Sequence, residues 1–315
     1  MILKYETYKY SPVLGWSISR YETFDKCKRM YFYTYYSKFV PDIPLYKIKQ
    51  LKALTSSPLE IGNVVHDIIE AFLRRLQADD SSIDEGRFFE YAKKKAEEYF
   101  STKTLLEVYY GHGRKVSVAD AQKKIEQCLT NLLKSPIYNW IYMKALTNKN
   151  NWMIEPPGYG ETRLNDLKAY CKMDFLFPVE DDIYILDWKT GQKDAYKHSN
   201  QLIGYAAAAS SNFQLQWNRI FPKIIYLYPE FSEFELKLSE RELHAFFETV
   251  QQQTKEMQSY CCNVEQNIPL PIDNFPQSPS PSVCKYCNFQ ELCFPERKPS
   301  AEKAETANTY PSKSN

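Results

Sequence analysis

The sequence contains the stretch Ile183-Tyr184-Ile185-Leu186-Asp187-Trp188-Lys189-Thr190-Gly191, which has the composition of a β-strand ended by a turn. Strand side chains alternate between two faces, so Asp187 and Lys189 are expected to stand side by side at the C-terminal end. Charge is costly at the end of an apolar strand unless the groups are paired, bind a metal or take part in a reaction. The stretch alone leaves two interpretations open, a partly exposed ion pair and a reactive centre.

A second strand is predicted just before this one, and it brings another carboxylate. Residues 169–177 alternate in the same way and contain Asp174. The acidic segment 178–182 has the length of a tight turn, so the two strands are predicted to form a hairpin. Neighbouring strands lie only about 4.8 Å apart. The carboxylates of Asp174 and Asp187 can therefore reach one cation.

Hydrophobic spacing predicts mainly helices before residue 150 and a mixture of strands and helices after it. Ser19 and Glu22 have the spacing of a capping box, which opens a predicted helix that runs to about Tyr36 and includes Cys27. Residues 40–57 are predicted to be a connection. The other predicted helices span about 59–77, 84–110, 117–147 and 239–260, and the other predicted strands span 161–164, 223–228 and 234–238.

Three side chains on predicted helices are further candidate site residues. His66 lies beside the buried stripe of its helix, where a lone histidine is more often structural than a ligand. After Gly191, either Ser199 or Asn200 is expected to cap another helix. Gln201 and Tyr205 are four residues apart on that helix and therefore share one face.

Three of the eight cysteines, Cys284, Cys287 and Cys293, have the spacing C-x2-C-x5-C. In a chain without a secretory signal, clustered cysteines are more often metal or cofactor ligands than disulfides. All-cysteine ligation fits either structural Zn²⁺ or an iron–sulfur cluster, and three unrelated thiols are the remaining alternative. A fourth ligand must come from a distant part of the chain, and the candidates are Cys27, Cys128, Cys171, Cys261 and Cys262. Hydrophobic spacing explains Cys128 and Cys171 as packing residues.

Composition describes a globular protein and sets limits on its partners. The 315 residues are 43% hydrophobic and 25% charged, as is usual for a globular protein. The formal net charge of +1 gives no indication that the protein binds a polyanion such as a nucleic acid. Residues 1–60 contain ten Lys or Arg and five Asp or Glu. This excess of positive charge is compatible with nucleic-acid binding and equally with an ordinary solvent-exposed surface. No long apolar run or signal segment is present, so a cytoplasmic protein without membrane association is expected.

The order of these residues along the chain resembles that of the RecB-type PD-(D/E)XK nucleases. The matching features are His66 in a Gly-x3-His helix, Asp174, the strand end Asp187-Trp188-Lys189, and Gln201-x3-Tyr205. Cys27 with the three C-terminal cysteines resembles the one-plus-three pattern of the subgroup that carries a [4Fe–4S] cluster. That subgroup includes CRISPR-associated RecB-like exonucleases and the nuclease domain of AddB-type helicase–nucleases. The resemblance covers about residues 15–294.

Hydrophobic spacing predicts a helical subdomain that includes residues 79–150, where no motif of the resemblance falls. The resemblance implies an α/β fold of the restriction-endonuclease type, with a mixed central sheet flanked by helices and a C-terminal cysteine cluster module. It divides the chain into an N-terminal segment with the first cluster cysteine (1–58), a helical region with the metal-site histidine (59–150), a PD-(D/E)XK nuclease core (151–265) and the cluster module (266–295). Residues 296–315 have no periodicity and are predicted to be a disordered tail.

The resemblance also implies a role for each site residue. Lys189 would orient or deprotonate the attacking water, and Gln201 and Tyr205 would position that lysine or the DNA backbone. The implied ligands of Mg²⁺ or Mn²⁺ are His66, Asp174, Asp187 and the backbone carbonyl of Trp188. The implied ligands of the [4Fe–4S] cluster, or of structural Zn²⁺ as the alternative, are Cys27, Cys284, Cys287 and Cys293.

The sequence departs from the family pattern near Asp174 and leaves one acidic position open. Lys172 stands two residues before Asp174, where this family usually has glycine, so an extra charge would touch DNA or perturb the metal site. Glu161 and Glu155 both qualify as a further acidic member, and the sequence does not choose between them.

The predicted function is therefore a metal-dependent DNA nuclease, an exonuclease on single-stranded DNA or DNA ends, in repair, recombination or CRISPR-type defence. A helicase or other repair or CRISPR proteins are the candidate partners. The alternative is a catalytically inactive DNA-binding or assembly subunit with the same fold. A zinc enzyme unrelated to DNA would require the ordered motifs to be a coincidence.

Overall fold

A computed structural model describes residues 4–111 and 116–299, which form an α/β fold around a five-stranded sheet. The helices are α1 Ile18–Lys26, α2 Lys28–Tyr35, α3 Leu45–Lys52, α4 Ser57–Ala78, α5 Glu85–Thr102, α6 Leu106–Tyr109, α7 Val118–Leu133, α8 Pro136–Met143, α9 Ala195–Phe213, α10 Glu240–Gln258, α11 Pro281–Cys284 and α12 Gln290–Cys293. The strands are β1 Met153–Ile154, β2 Glu161–Leu164, β3 Leu167–Tyr170, β4 Phe175–Val179, β5 Asp182–Lys189, β6 Ile220–Tyr226, β7 Ser232–Glu235, β8 Cys261–Asn263 and β9 Ile268–Pro269.

The central sheet is mixed, as the sequence predicts, and has the strand order β1-β4-β5-β6-β7. Strands β4 and β5 form the expected antiparallel hairpin, with Phe175 opposite Leu186. Strand β6 runs parallel to β5, with Lys189 opposite Tyr226. Parallel neighbours need a crossover connection, and α9 provides it. The C-terminal end of β5, where Asp187 lies, is therefore enclosed by α9 on one side and by the β4 hairpin on the other.

Two hydrophobic cores cover the two faces of this sheet. Ile183 and Ile185 of β5 face a core shared with α1, α2, α9 and α10. Leu186 and Trp188 face a second core shared with α4, α5 and α7. The alternation of β5 thus sends apolar residues to both sides, as expected for a central strand. The helical region that the sequence separates from the sheet packs directly on one of its faces.

The prediction of the first helix is wrong in two respects, its first residue and its unbroken course. Its N-cap is Ser17, whose hydroxyl accepts a hydrogen bond from the Arg20 N–H, rather than Ser19. Cys27 adopts an extended conformation (φ −163°, ψ 115°) and separates α1 from α2. An extended residue takes the backbone out of the helical path, although the Cys27 N–H still donates a hydrogen bond to the Thr23 carbonyl oxygen. Cys27 therefore lies in a break between two helices instead of within one.

Several other predicted boundaries differ from the structure. The predicted connection 40–57 contains α3, and the helix predicted over 84–110 is divided into α5 and α6. The helix predicted over 117–147 begins as expected at its Ser117 cap but ends before Pro136, which starts α8 because proline suits the first turn of a helix. Asp194 caps α9, so this helix starts before both Ser199 and Asn200.

The strand predicted over 169–177 is also interrupted. Its first part, β3, pairs with β2 in a separate two-stranded hairpin, and its last part, β4, joins the central sheet. Asp174 therefore lies immediately before β4 instead of within a continuous strand.

The remaining expectations concern the membrane and the chain end. In the described part of the chain, the helices are too short or too polar to cross a bilayer. Of the predicted tail, residues 300–315 lie outside the described residues.

The turn that connects to β2 depends on Gly160. Gly160 has φ +70°, and a Cβ atom there would lie 2.2 Å from the Cys171 carbonyl oxygen. We expect Gly160→Ala to lower the free energy of unfolding by more than about 1 kcal/mol, measured by urea denaturation. Gly158→Ala is the matched control, because Gly158 has φ +63° but no atom within 4 Å of an added Cβ. Equal destabilisation by both substitutions would show that the close contact with Cys171 is unimportant.

Candidate active site

The Asp187 carboxylate is the centre of the site and is almost completely buried, with 2% of the residue exposed. Its Oδ1 atom accepts hydrogen bonds from the Tyr205 hydroxyl (2.5 Å) and from the Gln201 amide (3.1 Å). Its Oδ2 atom is in contact with the Lys189 ammonium, but it accepts no hydrogen bond of good geometry among the described residues. One oxygen is therefore fixed by neutral donors, and the other is left for a cation.

Sequence spacing explains why these groups meet. Asp187 and Lys189 project from the β5 face that packs against α9, because they alternate with the residues of the other core. Gln201 and Tyr205 lie one helical turn apart on α9, so both reach the same carboxylate. In this structure the two side chains bind Asp187, whereas the resemblance implies that they position the lysine or the DNA.

Asp174 forms the second half of the site and connects it to α4. Its Oδ2 atom accepts a hydrogen bond from the Trp188 backbone N–H (2.9 Å). Its Oδ1 atom lies 3.2 Å from Nδ1 of His66. The antiparallel register of β4 and β5 explains the first contact, because Asp174 lies directly across from the Asp187–Trp188 segment. The structure therefore brings His66, Asp174, Asp187 and Lys189 together.

Burial and mutual charge shift the pKa values of the two carboxyl groups in opposite directions. Burial raises the pKa of Asp187, and the negative charge of Asp174 raises it further. Burial also opposes ionisation of Asp174, but the His66 cation, its hydrogen bond and Lys189 outweigh this effect and lower the Asp174 pKa. The two carboxylates thus repel each other, and each depends on a positive partner.

The pKa of His66 is shifted upward by its charged neighbour. Burial lowers its pKa, but the charge of Asp174 and the hydrogen bond to it outweigh burial, so the His66 pKa rises to about 8. At neutral pH the imidazole is therefore mainly protonated and paired with Asp174. A histidine must lose this proton before it can be a metal ligand.

The oxygen atoms of this site are of the kind that binds a hard divalent cation, but the side chains that carry them form ion pairs and hydrogen bonds with one another. Carboxylate and carbonyl oxygens are the ligands that Mg²⁺ and Mn²⁺ prefer. Oδ2 of Asp187 is buried and accepts no hydrogen bond, which is the situation a cation would correct. Across residues 4–111 and 116–299, however, no group of three or more His, Cys, Asp or Glu side chains could hold a metal ion as it stands. Lys189 and His66 are the present partners of the two carboxylates.

Sequence reasoning missed His198, which lies on α9 one turn before Gln201. The side chain is buried, and its Nδ1 atom is hydrogen-bonded to the Tyr226 hydroxyl. Burial lowers the pKa of His198, and the nearby Lys189 ammonium lowers it further. Only its spacing of three residues from Gln201 could have indicated this position, because the surrounding sequence is polar.

The structure separates the two candidate glutamates. Glu155 pairs with Lys172 at 2.9 Å, and its backbone N–H donates a hydrogen bond to the Asp174 carbonyl oxygen. Glu161 instead pairs with Arg163 at 2.9 Å on the β2–β3 hairpin. Glu155 is therefore the glutamate that is hydrogen-bonded to Asp174 through the backbone. Its side chain also neutralises Lys172, the residue that departs from the family pattern.

The four cysteines that the sequence analysis groups together line one small cavity. Cys27 contributes from the break between α1 and α2, and Cys284, Cys287 and Cys293 contribute from the C-terminal segment. All four are free thiols. Burial raises the pKa of Cys287 to about 12 and that of Cys293 to about 11, so both are neutral in the absence of a cation. Cys128 and Cys171 are buried away from this cavity, as their spacing predicts.

A buried polar network holds the C-terminal segment against the helices before it. Glu291 of α12 is 6% exposed, lies 2.6 Å from the Lys47 ammonium of α3 and accepts a hydrogen bond from the Tyr109 hydroxyl. The Asn288 side chain donates a hydrogen bond to the Leu54 carbonyl oxygen. These contacts join parts of the chain that are far apart in sequence and place the three C-terminal cysteines opposite Cys27.

The arrangement is the one that the sequence resemblance predicts for a PD-(D/E)XK nuclease: a mixed sheet whose central strand ends in Asp-x-Lys, a second Asp just before the neighbouring strand, and a Gln-x3-Tyr helix. The family model of the PD-(D/E)XK nuclease superfamily matches residues 15–294. The chain belongs to the PD-(D/E)XK nuclease superfamily.

Two other comparisons add little to this assignment. A solved structure described as "Crystal structure of SSO0001" is similar at 15% sequence identity, with 67% of this chain and 97% of that chain covered and a TM-score of 0.25. A similarity at this level carries no argument about function. No curated protein matches the chain.

The His66–Asp174 pair predicts a dependence of stability on pH. The folded pKa of His66 is about 8, above its ordinary value of 6.5. The pair therefore stabilises the fold fully below pH 6.5, and we expect about 2 kcal/mol to be lost as the pH rises through 8. Urea denaturation in the presence of a chelator measures this loss. His66→Gln should abolish it, whereas His244→Gln, at a histidine side chain that is 76% exposed, should retain it. An unchanged pH dependence in His66→Gln would contradict the pairing.

Proposed function

We propose that the protein is a metal-dependent DNA exonuclease that hydrolyses phosphodiester bonds in single-stranded DNA or at DNA ends. The observation that carries this proposal is the buried Asp187 carboxylate, which has one oxygen fixed by α9 and the other directed at Lys189. Placing the Asp174 carboxylate beside the buried Asp187 carboxylate destabilises a fold, so this pair at the C-terminal end of β5 supports a catalytic role.

The proposed metal ligands are Asp174, Asp187, the Trp188 carbonyl oxygen and, after loss of its proton, His66. When bound, Mg²⁺ or Mn²⁺ lowers the pKa of water and stabilises negative charge on the phosphate. Tyr205 and Gln201 hold Oδ1 of Asp187, so its carboxylate keeps one orientation. Lys189 lies beside Oδ2, where its ammonium can orient the attacking water and offset charge on the scissile phosphate.

We further propose that Cys27, Cys284, Cys287 and Cys293 bind a [4Fe–4S] cluster, with structural Zn²⁺ as the alternative. Support comes from the four free thiols around one cavity. Such a cluster would join residues more than 250 positions apart. A crosslink over so long a loop stabilises a fold chiefly by restricting the unfolded chain. Its role would therefore be architectural, since it would fasten α1 and α2 to the C-terminal segment.

The active-site assignment predicts the loss of cleavage in two variants. Lys189→Ala and Asp187→Asn should each lower the rate of single-stranded DNA cleavage in Mg²⁺ or Mn²⁺ by at least about 100-fold, because each removes a charge that acts on the reacting groups. End-labelled oligonucleotides provide the measurement, and circular dichroism confirms folding. Lys237→Ala, which removes an exposed lysine after β7, is the control.

Two results would contradict this assignment in different ways. Full activity in both variants would remove Asp187 and Lys189 from the chemistry. Binding of DNA by the unmodified protein without cleavage in either metal would favour an inactive DNA-binding subunit.

The cluster proposal predicts a brown, iron-containing protein after anaerobic purification. Cys287→Ser should lose the iron and the visible absorption, because it removes one of the four thiols in the cavity. Cys262→Ser is the matched control, since Cys262 is exposed and lies outside that cavity. Colourless protein with one equivalent of zinc would replace the cluster with the zinc alternative, and protein without either metal would refute both.

A further inference from the structure

A turn before β2 holds a tyrosine in an unfavourable backbone conformation. Gly158, Tyr159 and Gly160 follow one another with φ values of 63°, 58° and 70°. Glycine adopts such values readily, but a bulky side chain rarely does. Tyr159 is nevertheless the middle residue of this left-handed run. Such a conformation costs free energy, and residues that adopt it are enriched at active sites and ligand-binding sites.

Packing does not explain the position of Tyr159. The residue is 80% exposed, so its ring gains little from burial in the protein. The ring lines the cleft that leads to the active site, together with Lys189, Gln201 and Tyr205. The turn therefore places an exposed aromatic ring on the wall of the cleft that also contains Lys189.

A second tyrosine lies at the same end of the β2–β3 hairpin. Tyr170 ends β3, pairs in register with Glu161 and lines the same cleft. Its ring rests against Gly15, where an added Cβ would lie 2.3 Å from a ring carbon. Its backbone N–H donates a hydrogen bond to the Trp16 carbonyl oxygen. Tyr170 is thus fixed on the wall of the cleft that Tyr159 also lines.

The positive charges in this cleft are already paired. Lys172 lies 2.9 Å from Glu155, Lys197 lies 2.9 Å from Glu22, and Lys189 is in contact with Asp187. Phosphate binding by lysines releases counterions and gives tight, salt-dependent association. Lysines that are neutralised by carboxylates contribute less of this attraction. A nucleic acid in this cleft therefore needs another source of binding free energy.

We propose that Tyr159 is a base-stacking site for an unpaired nucleotide of a strand bound in this cleft. This inference rests on the proposed nuclease function and specifies its substrate as a strand with exposed bases. Stacking on an aromatic ring is tolerant of sequence, because every base has a π-face. A base inside a duplex is already stacked on its neighbours and cannot use this site. The tyrosine therefore selects single strands and frayed ends.

Equilibrium binding tests the proposal separately from catalysis. Fluorescent oligothymidine and an abasic strand of equal length share the same phosphates and differ in their bases, and Ca²⁺ replaces Mg²⁺ to prevent cleavage. Tyr159→Ala should weaken binding of oligothymidine roughly 5- to 100-fold, the loss expected for one stacked base, and should leave binding of the abasic strand unchanged. Tyr159→Phe should bind as the unmodified protein does.

Two further variants exclude a merely structural role. Tyr159→Gly should unfold at the same temperature or a higher one, because glycine relieves the left-handed conformation, yet it should lose oligothymidine binding as Tyr159→Ala does. Tyr46→Ala removes another exposed tyrosine, 73% accessible on α3, and should change nothing. Equal weakening of both strands, or unchanged binding by Tyr159→Ala, would overturn the proposal.

Cleavage assays distinguish failure of this inference from failure of the proposed function. If the unmodified protein cleaves no strand in Mg²⁺ or Mn²⁺, the nuclease proposal fails. If it cleaves single strands and Tyr159→Ala cleaves oligothymidine equally well at low substrate concentration, only the stacking site fails. The expected result is a lower kcat/KM on oligothymidine, with the rate on the abasic strand unchanged.

Discussion

The hydrogen bonds from Gln201 and Tyr205 to Oδ1 of Asp187 are the constraint on which the rest of the site depends. They require α9 to lie directly over the end of β5, and α9 can do so because it is the crossover between two parallel strands. Without these donors, Oδ1 of the buried carboxylate would have no hydrogen bond, and Lys189 alone would offset the cost of desolvation. The orientation of the Asp187 carboxylate therefore depends on the parallel pairing of β5 and β6.

The strands of the site could be predicted from sequence because alternation and short turns are patterns of neighbouring residues. Alternation placed Asp187 and Lys189 on one face, and the short turn brought Asp174 to the neighbouring strand. The start of α9 could not be predicted in the same way, since Asp194 and Ser199 are both acceptable caps and only packing against the sheet chooses between them. The interruption before Asp174 was missed for a similar reason, because β3 pairs with β2 outside the central sheet.

Cys27 shows where local patterns fail. The residues around it are compatible with one continuous helix, yet the chain is extended at this position. The arrangement that surrounds it is long-range: the carbonyl of Pro276 accepts a hydrogen bond from the Arg29 N–H, and the Phe275 carbonyl accepts one from the Arg29 side chain. Contacts between residues separated by most of the chain leave no periodic signal. The grouping of the four cysteines could be anticipated only from a resemblance to a family.

The charges of the site balance within a very small volume. The carboxylates of Asp174 and Asp187 are matched by His66 and Lys189, and the neighbouring Lys172 is matched by Glu155. In this arrangement the Lys189 ammonium is paired with the Asp187 carboxylate. For the proposed metal to bind, His66 would have to lose its proton before it could be a ligand, and Asp187 would exchange its contact with Lys189 for one with the metal. The same exchange of partners would supply the acidic oxygens to the metal and leave the Lys189 ammonium beside the reacting groups.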